Sequence, residues 1–172
     1  METITVRYAA LEDANLIAEL SRKTFYDSFA AYNTKEDMDK FMNEIFAQEN
    51  LVAEVGAQGN IFLLAFCNDD AAGYVRMRES EIPKVLNTAE AIEIARIYAV
   101  ENAIGKGIGS ALMEKCIDVA LEMNKEIIWL GVWEKNQRAI DFYTRWGFEK
   151  FGEHEFILGN DVQTDWLMKK YL

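Results

Sequence analysis

Apolar and polar positions alternate in "TITVRYA", which predicts a first strand, and Leu11, Ala14, Ile17, Ala18 and Phe25 then fall at helical spacing. Thr34 followed by Asp37 has the form of an N-cap with its capping-box acid, and Met38, Phe41, Met42 and Ile45 continue on one face as a second helix. "NIFLLAFCN" and "AAGYVRMRES" flank the polar pair Asp69 and Asp70 as a hairpin, and "AIEIARIYA" is a fourth strand. Ile108, Leu112, Cys116, Val119, Ala120 and Met123 recur at helical intervals, so a third helix begins at a glycine-rich segment. "EIIWLGVW" reads as a buried fifth strand. Asn136 suits the N-cap of a fourth helix carrying Ala139, Ile140 and Tyr143, which Gly147 stops. "FEKFGEHEFIL" and "VQTDWLMKKYL", separated by "GND", form a closing hairpin. The predicted order is βααβββαβαββ, an α/β fold with a mixed sheet.

Nothing in this pattern marks a linker, a repeat or a low-complexity tract, and 172 residues at 51% hydrophobic suffice for one core, so one domain over residues 1–172 is expected. The N-terminus lacks an apolar leader core and the longest apolar runs are too short to span a bilayer, which predicts a cytoplasmic protein that does not enter a membrane. Cys67 and Cys116 sit in apolar contexts without metal-ligand spacing and read as reduced core thiols, with no metal site expected. The net charge of −11 excludes nucleic acid as the natural partner and is compatible with a cationic ligand.

The segment "NAIGKGIGSALMEKC" places Gly105, Gly107 and Gly109 at the start of the third helix, where unpaired N–H groups and a positive dipole end offer a site for an anion. Gly105, Gly107 and Ser110 nearly satisfy the dinucleotide fingerprint. The next strand, however, offers only Glu134, too far along to be the ribose-binding acid, and no alternating βαβ series precedes the loop. No Walker-type GxxxxGK[ST] sequence occurs.

"EIARIYA…IGKGIGSALM" together with "IIWLGVWEKNQRAIDFYTRWGFE" resembles the two cofactor motifs of the GNAT superfamily of N-acetyltransferases, which use acetyl-coenzyme A. With "KTFYDSF" and "QTDWLMKKYL" the chain is most similar to the PaiA-type spermidine/spermine N-acetyltransferases. The resemblance implies a mostly antiparallel central sheet flanked by helices, and acetyl-CoA as co-substrate. It implies that Gly105, Lys106, Gly107, Ile108, Gly109 and Ser110 receive the cofactor's diphosphate, with Lys106 adding a charge. Ile104 departs from the family's Gln/Arg at its position. Ile97, Tyr98 and Ala99 would run beside the pantetheine arm, which needs the fourth and fifth strands to part. Asn136 and Tyr143 match the residues around the thioester. Gly131 stands where many relatives carry a glutamate used as a base.

Amide formation from a thioester needs a neutral amine, a site for the oxyanion and a proton for the departing thiolate. Tyr143 is the candidate acid, the Ala99 N–H the candidate donor to the carbonyl, and Glu93 the candidate proton acceptor. His154, the sole histidine, reads as a surface residue. A cationic acceptor, a polyamine above all, is expected from Glu36, Asp37, Asp39, Glu44, Glu49, Glu54, Glu79, Glu81 and Glu90 if they face the cleft. Arg76 and Arg78 point the other way, toward an anionic acceptor or toward pairing with those acids. A protein N-terminus as acceptor and a non-catalytic acyl-CoA sensor are the alternatives, and the oligomeric state, a homodimer included, is open.

Overall fold

The computed structural model describes residues 2–172, and their strand-forming segments build one seven-stranded sheet in the order β1-β2-β3-β4-β5-β7-β6. The strands are β1 (Ile4–Tyr8), β2 (Asn60–Cys67), β3 (Asp70–Arg78), β4 (Ala91–Ala99), β5 (Ile127–Trp133), β6 (Glu149–Leu158) and β7 (Asp161–Tyr171). Every neighbouring pair is antiparallel except β4 and β5. The helices are α1 (Ala14–Phe29), α2 (Lys35–Glu44), α3 (Gln48–Glu54), α4 (Ile108–Glu122) and α5 (Gln137–Arg145).

This order contains one helix more than the periodicity predicts. α3 is seven residues long, starts at Ala47 without a side-chain cap and buries only Leu51, so it carries neither the repeat length nor the capping signal that reveals a helix in sequence. Thr34, by contrast, does cap α2, its hydroxyl accepting from the Asp37 N–H at 3.1 Å.

One face of the sheet is covered by α4 and α5, where Ile108, Leu112, Met113 and Cys116 pack on Leu63, Val75, Ile92 and Ile128. Burying side chains of this size is worth about 1.5–3 kcal/mol each. On the other face, α1 to α3 close over a second cluster built from Phe25, Phe41, Phe46 and Leu51. Arg22 ties this layer together by donating to the carbonyls of Met42, at 2.7 Å, and Phe46, at and just beyond the C-terminal end of α2.

The parallel pair is short. β4 and β5 are in register only along Ala91–Glu93 and Ile127–Trp129, and beyond that point the two strands separate. On its other side β4 shifts register against β3, pairing Arg96 with Arg76 but Ile94 with Met77, so Ala95 is an extra residue. A bulge therefore sits one residue before Arg96, at the point where the sheet opens.

Candidate active site

The opening between β4 and β5 is the floor of a cleft of about 840 Å³. Ile97, Tyr98 and Ala99 line one side, Gly131, Val132 and Trp133 the other, and Ile104, Gly105, Gly107, Gly109 and Ser110 one end.

At that end Gly107 is the N-cap of α4 with φ +93°, and no side chain takes the helix's first N–H groups. They face the cleft mouth together with the positive end of a fifteen-residue helix, an arrangement suited to an anion. A Cβ on Gly105 would meet nothing within 4 Å, and one on Gly107 would meet only Ile4 Cδ1 at 3.5 Å, so these glycines hold space open above the loop. Two neighbours differ from expectation. The Ile108 side chain is fully buried in the core, leaving only its backbone for a ligand. The Lys106 ammonium reaches Glu2 Oε1 at 3.4 Å on the surface and does not line the cleft, because its side chain leaves the loop on the outer side.

Asn136 and Tyr143 both line the cleft. Asn136 also caps α5, its side-chain oxygen accepting from the Ala139 N–H at 3.3 Å. Tyr143 packs edge-on against Phe142, with ring centroids 5.6 Å apart, and its burial and the nearby Cys116 push the hydroxyl above the usual tyrosine range. The protonated phenol is therefore the favoured form. Burial likewise pushes the Cys116 thiol up, which deprives it of the thiolate form a nucleophile needs.

Glu93 is neither solvated nor free. Its carboxylate accepts from Arg78 Nε at 2.6 Å and Nη2 at 3.2 Å and from the Ser80 hydroxyl at 2.9 Å, and it does not line the cleft. The structure therefore does not bring Glu93 to the cleft where the role expected for it would be played.

His154 is a surface residue, as expected, and does not itself line the cleft, but it sits against Asp165, which does. It pairs in register with Asp165, and its Nε2 lies 3.4 Å from Asp165 Oδ2. The same Nε2 is 3.3 Å from where a Cβ on Gly131 would stand, so the ring occupies the space left by the missing side chain. Asp165 holds the imidazole above its ordinary pKa, against the opposing effect of partial burial. Only cross-strand register brings these three positions together, which is why sequence spacing does not reveal them.

The wall facing α1 and α2 is aromatic, with Phe25, Phe29, Phe41, Phe46 and Phe156 all contributing. Of the nine acids expected to attract a cation, only Glu54 lines the cleft, and it is bound by Arg76 Nη1 at 3.1 Å and by Arg96 Nη2. The other eight do not line the cleft: Glu36, Asp37, Asp39 and Glu44 are on α2, whose apolar face turns inward, Glu49 is on α3, and Glu79, Glu81 and Glu90 lie exposed in the segment between β3 and β4. Arg96 escaped attention in the sequence because a lone arginine in a strand carries no spacing signal.

The sequence matches the Acetyltransferase (GNAT) family over residues 22–148. It is 36% identical over 153 residues to the "Uncharacterized N-acetyltransferase in pepI 3'region" of Lactobacillus delbrueckii subsp. lactis, covering 89% of this chain and 88% of that one. It is 24% identical to a spermidine N(1)-acetyltransferase of Thermoplasma acidophilum, covering 86% and 89%. The fold superposes on the PaiA N-acetyltransferase of Thermoplasma acidophilum in complex with coenzyme A, with TM-score 0.80, 20% identity and 99% of each chain covered. It also superposes on YncA of Salmonella typhimurium with acetyl-CoA, with TM-score 0.74, 20% identity and coverage of 98% and 94%. The family match spans most of the chain and takes in the glycine loop, the parted strands and α5, and the protein belongs to the GNAT family of acetyltransferases.

Proposed function

We propose that the cleft binds acetyl-CoA and passes its acetyl group directly to a primary amine in a ternary complex. The observation that carries this reading is the placing of the uncapped N-terminus of α4, the parted strands and Tyr143 around one cavity. The α4 terminus receives the diphosphate through backbone N–H groups of residues 105–110. The free inner edge of β4, from Ile97 to Ala99, takes the pantetheine arm as an added strand. Bound coenzyme supplies the activated acyl group.

The chain's own residues then manage charge and protons. Asp165 attracts the ammonium form of the amine, and His154 accepts the proton that must leave before nitrogen can attack. The resulting imidazolium is held by Asp165. Attack forms a C–N bond and places the carbonyl's electrons on oxygen, toward which the Ala99 N–H is directed. Collapse breaks the C–S bond, Tyr143 donates its proton to the leaving sulfur, and the second proton shed by the attacking nitrogen as the amide forms returns to the Tyr143 oxygen through water. Burial favours the protonated phenol, the form that donates.

Likeness to the Thermoplasma spermidine acetyltransferase puts a polyamine among the acceptors to compare. The cleft itself offers two carboxylates, those of Glu54 and Asp165, and each already faces a basic side chain. Following CoA release with spermidine, spermine, simple amines and a peptide N-terminus tests the reaction and ranks the acceptors. Amine-dependent release supports acetyl transfer. Tight acetyl-CoA binding with no release for any amine or peptide would assign the fold to sensing instead.

A further inference from the structure

The acceptor end of the cleft carries a charge pattern that a polycation does not match. Arg76 and Arg96 face each other across β3 and β4 and share the single carboxylate of Glu54, while Arg78 is matched by Glu93. Three guanidiniums against two carboxylates leave one positive charge in surplus. The surplus is well shielded from water, since the Arg96 side chain is 10% exposed and Arg76 14%. Its cost is visible in Arg76, whose pKa burial and the neighbouring Arg96 push down to about 10. Arg96 Nη1 is buried beside the equally buried Tyr74 hydroxyl, which together with Glu54 holds the Arg96 guanidinium in its charged form.

Across the opening the sign reverses. Asp165 lines the cleft from β7, with His154 behind it. Between the two poles stands the phenylalanine wall of α1, α2 and β6. A ligand that meets all three surfaces carries an amine, a carboxylate and an apolar group.

We infer that the acceptor is a hydrophobic amino acid, whose carboxylate is received by the Arg76–Arg96 pair while its amine is held at Asp165 and His154. The inference rests on the acetyl-transfer reading and adds the acceptor's class to it. A guanidinium fork is the side chain best shaped for a carboxylate, and the bulge at Ala95 sets Arg96 where the strands part, beside the reacting centre. A long polyamine would bring further positive charge against this pair.

The test compares L-phenylalanine, phenethylamine, which lacks only the carboxylate, and spermidine as acceptors with saturating acetyl-CoA. Loss of one charge-assisted interaction corresponds to roughly 10- to 100-fold. The expected kcat/KM for phenylalanine exceeds that for phenethylamine and for spermidine by at least this factor. In Arg76→Gln the phenylalanine-to-phenethylamine ratio falls by a similar factor, and Arg76→Lys, which keeps charge but loses the fork, falls between. Equal rates with phenylalanine and phenethylamine, or a preference for spermidine, overturn the inference. A second arm needs no turnover: calorimetry of the CoA-loaded protein with N-acetyl-L-phenylalanine and with N-acetylphenethylamine. Tighter binding of the carboxylated product supports the inference and equal binding refutes it. If no amine is acetylated at all, the acetyl-transfer reading fails while this arm still decides the carboxylate site.

Discussion

Replacing Gly107 with alanine separates what the glycine does for the fold from what it does for a ligand. Its φ of +93° lies in the left-handed region, where a Cβ costs about 1–2 kcal/mol. No steric term adds to this, because the nearest atom to the new methyl is Ile4 Cδ1 at 3.5 Å. For a chain of this length each kcal/mol moves the melting temperature by about 2–4 °C, so a fall of roughly 2–8 °C is expected. Gly59→Ala is the matched control. Gly59 has φ +82°, its Cβ would be 3.5 Å from the Glu79 carbonyl oxygen, and it lies outside the cleft. Both variants should lose comparable stability. They should part company on acetyl-CoA, which at a hundredfold excess over Kd adds about 2.7 kcal/mol, a rise of roughly 5–11 °C, to the wild type and to Gly59→Ala. In Gly107→Ala the methyl stands over the loop, and losing even one N–H to diphosphate contact weakens binding roughly 10- to 150-fold. Scanning fluorimetry with and without acetyl-CoA reads both effects. If Gly107→Ala melts lower like the control yet gains the same increment from acetyl-CoA, the diphosphate does not lie over this loop.

Tyr143→Phe keeps the ring contacts with Phe142 and Phe148, so the melting temperature should hold while kcat falls by roughly 100- to 10,000-fold in steady-state CoA release. His154 must be neutral to accept a proton, so kcat/KM should fall as pH drops through a midpoint above the ordinary 6.5, and Asp165→Asn should move that midpoint to lower pH. The same raised pKa means that the pair's small contribution to stability is complete below the unfolded-state pKa and fades as pH rises through the folded one. Glu93→Gln should cost about 1–3 kcal/mol in chemical denaturation, because it weakens the bonds to Arg78 and Ser80, yet leave the shape of the pH profile unchanged. A lost acid limb in Glu93→Gln would return the proton-accepting role to that residue.

The parts of the fold that repeat along the chain were legible in it. All seven strands and the four longer helices follow from alternation, helical spacing and caps such as Thr34 and Asn136. α3 was hidden because one buried leucine and an alanine cap leave no pattern. The glycine loop could be read only with the second motif beyond it, because three glycines at a helix start serve a tight turn as readily as an anion site. Contacts made across strands could not. The His154–Asp165–Gly131 cluster and the Arg76–Arg96–Glu54 cluster each join residues far apart in sequence, and only register and the β4 bulge bring them together. Where the carboxylates fall was hidden for a related reason: net charge says nothing about which face of α2 a carboxylate occupies.

Direct transfer within a ternary complex is tested most sharply by rapid mixing of the protein with acetyl-CoA alone, followed by addition of the accepting amine, with thiol release recorded throughout. Cys116 is buried with its thiol pKa raised, and no cysteine or lysine is among the described residues that line the cleft, so the account predicts no CoA release before the amine arrives and amine-dependent release afterwards. A burst of CoA equal to the protein concentration in the absence of amine would mean an acetyl-enzyme intermediate, and would contradict it.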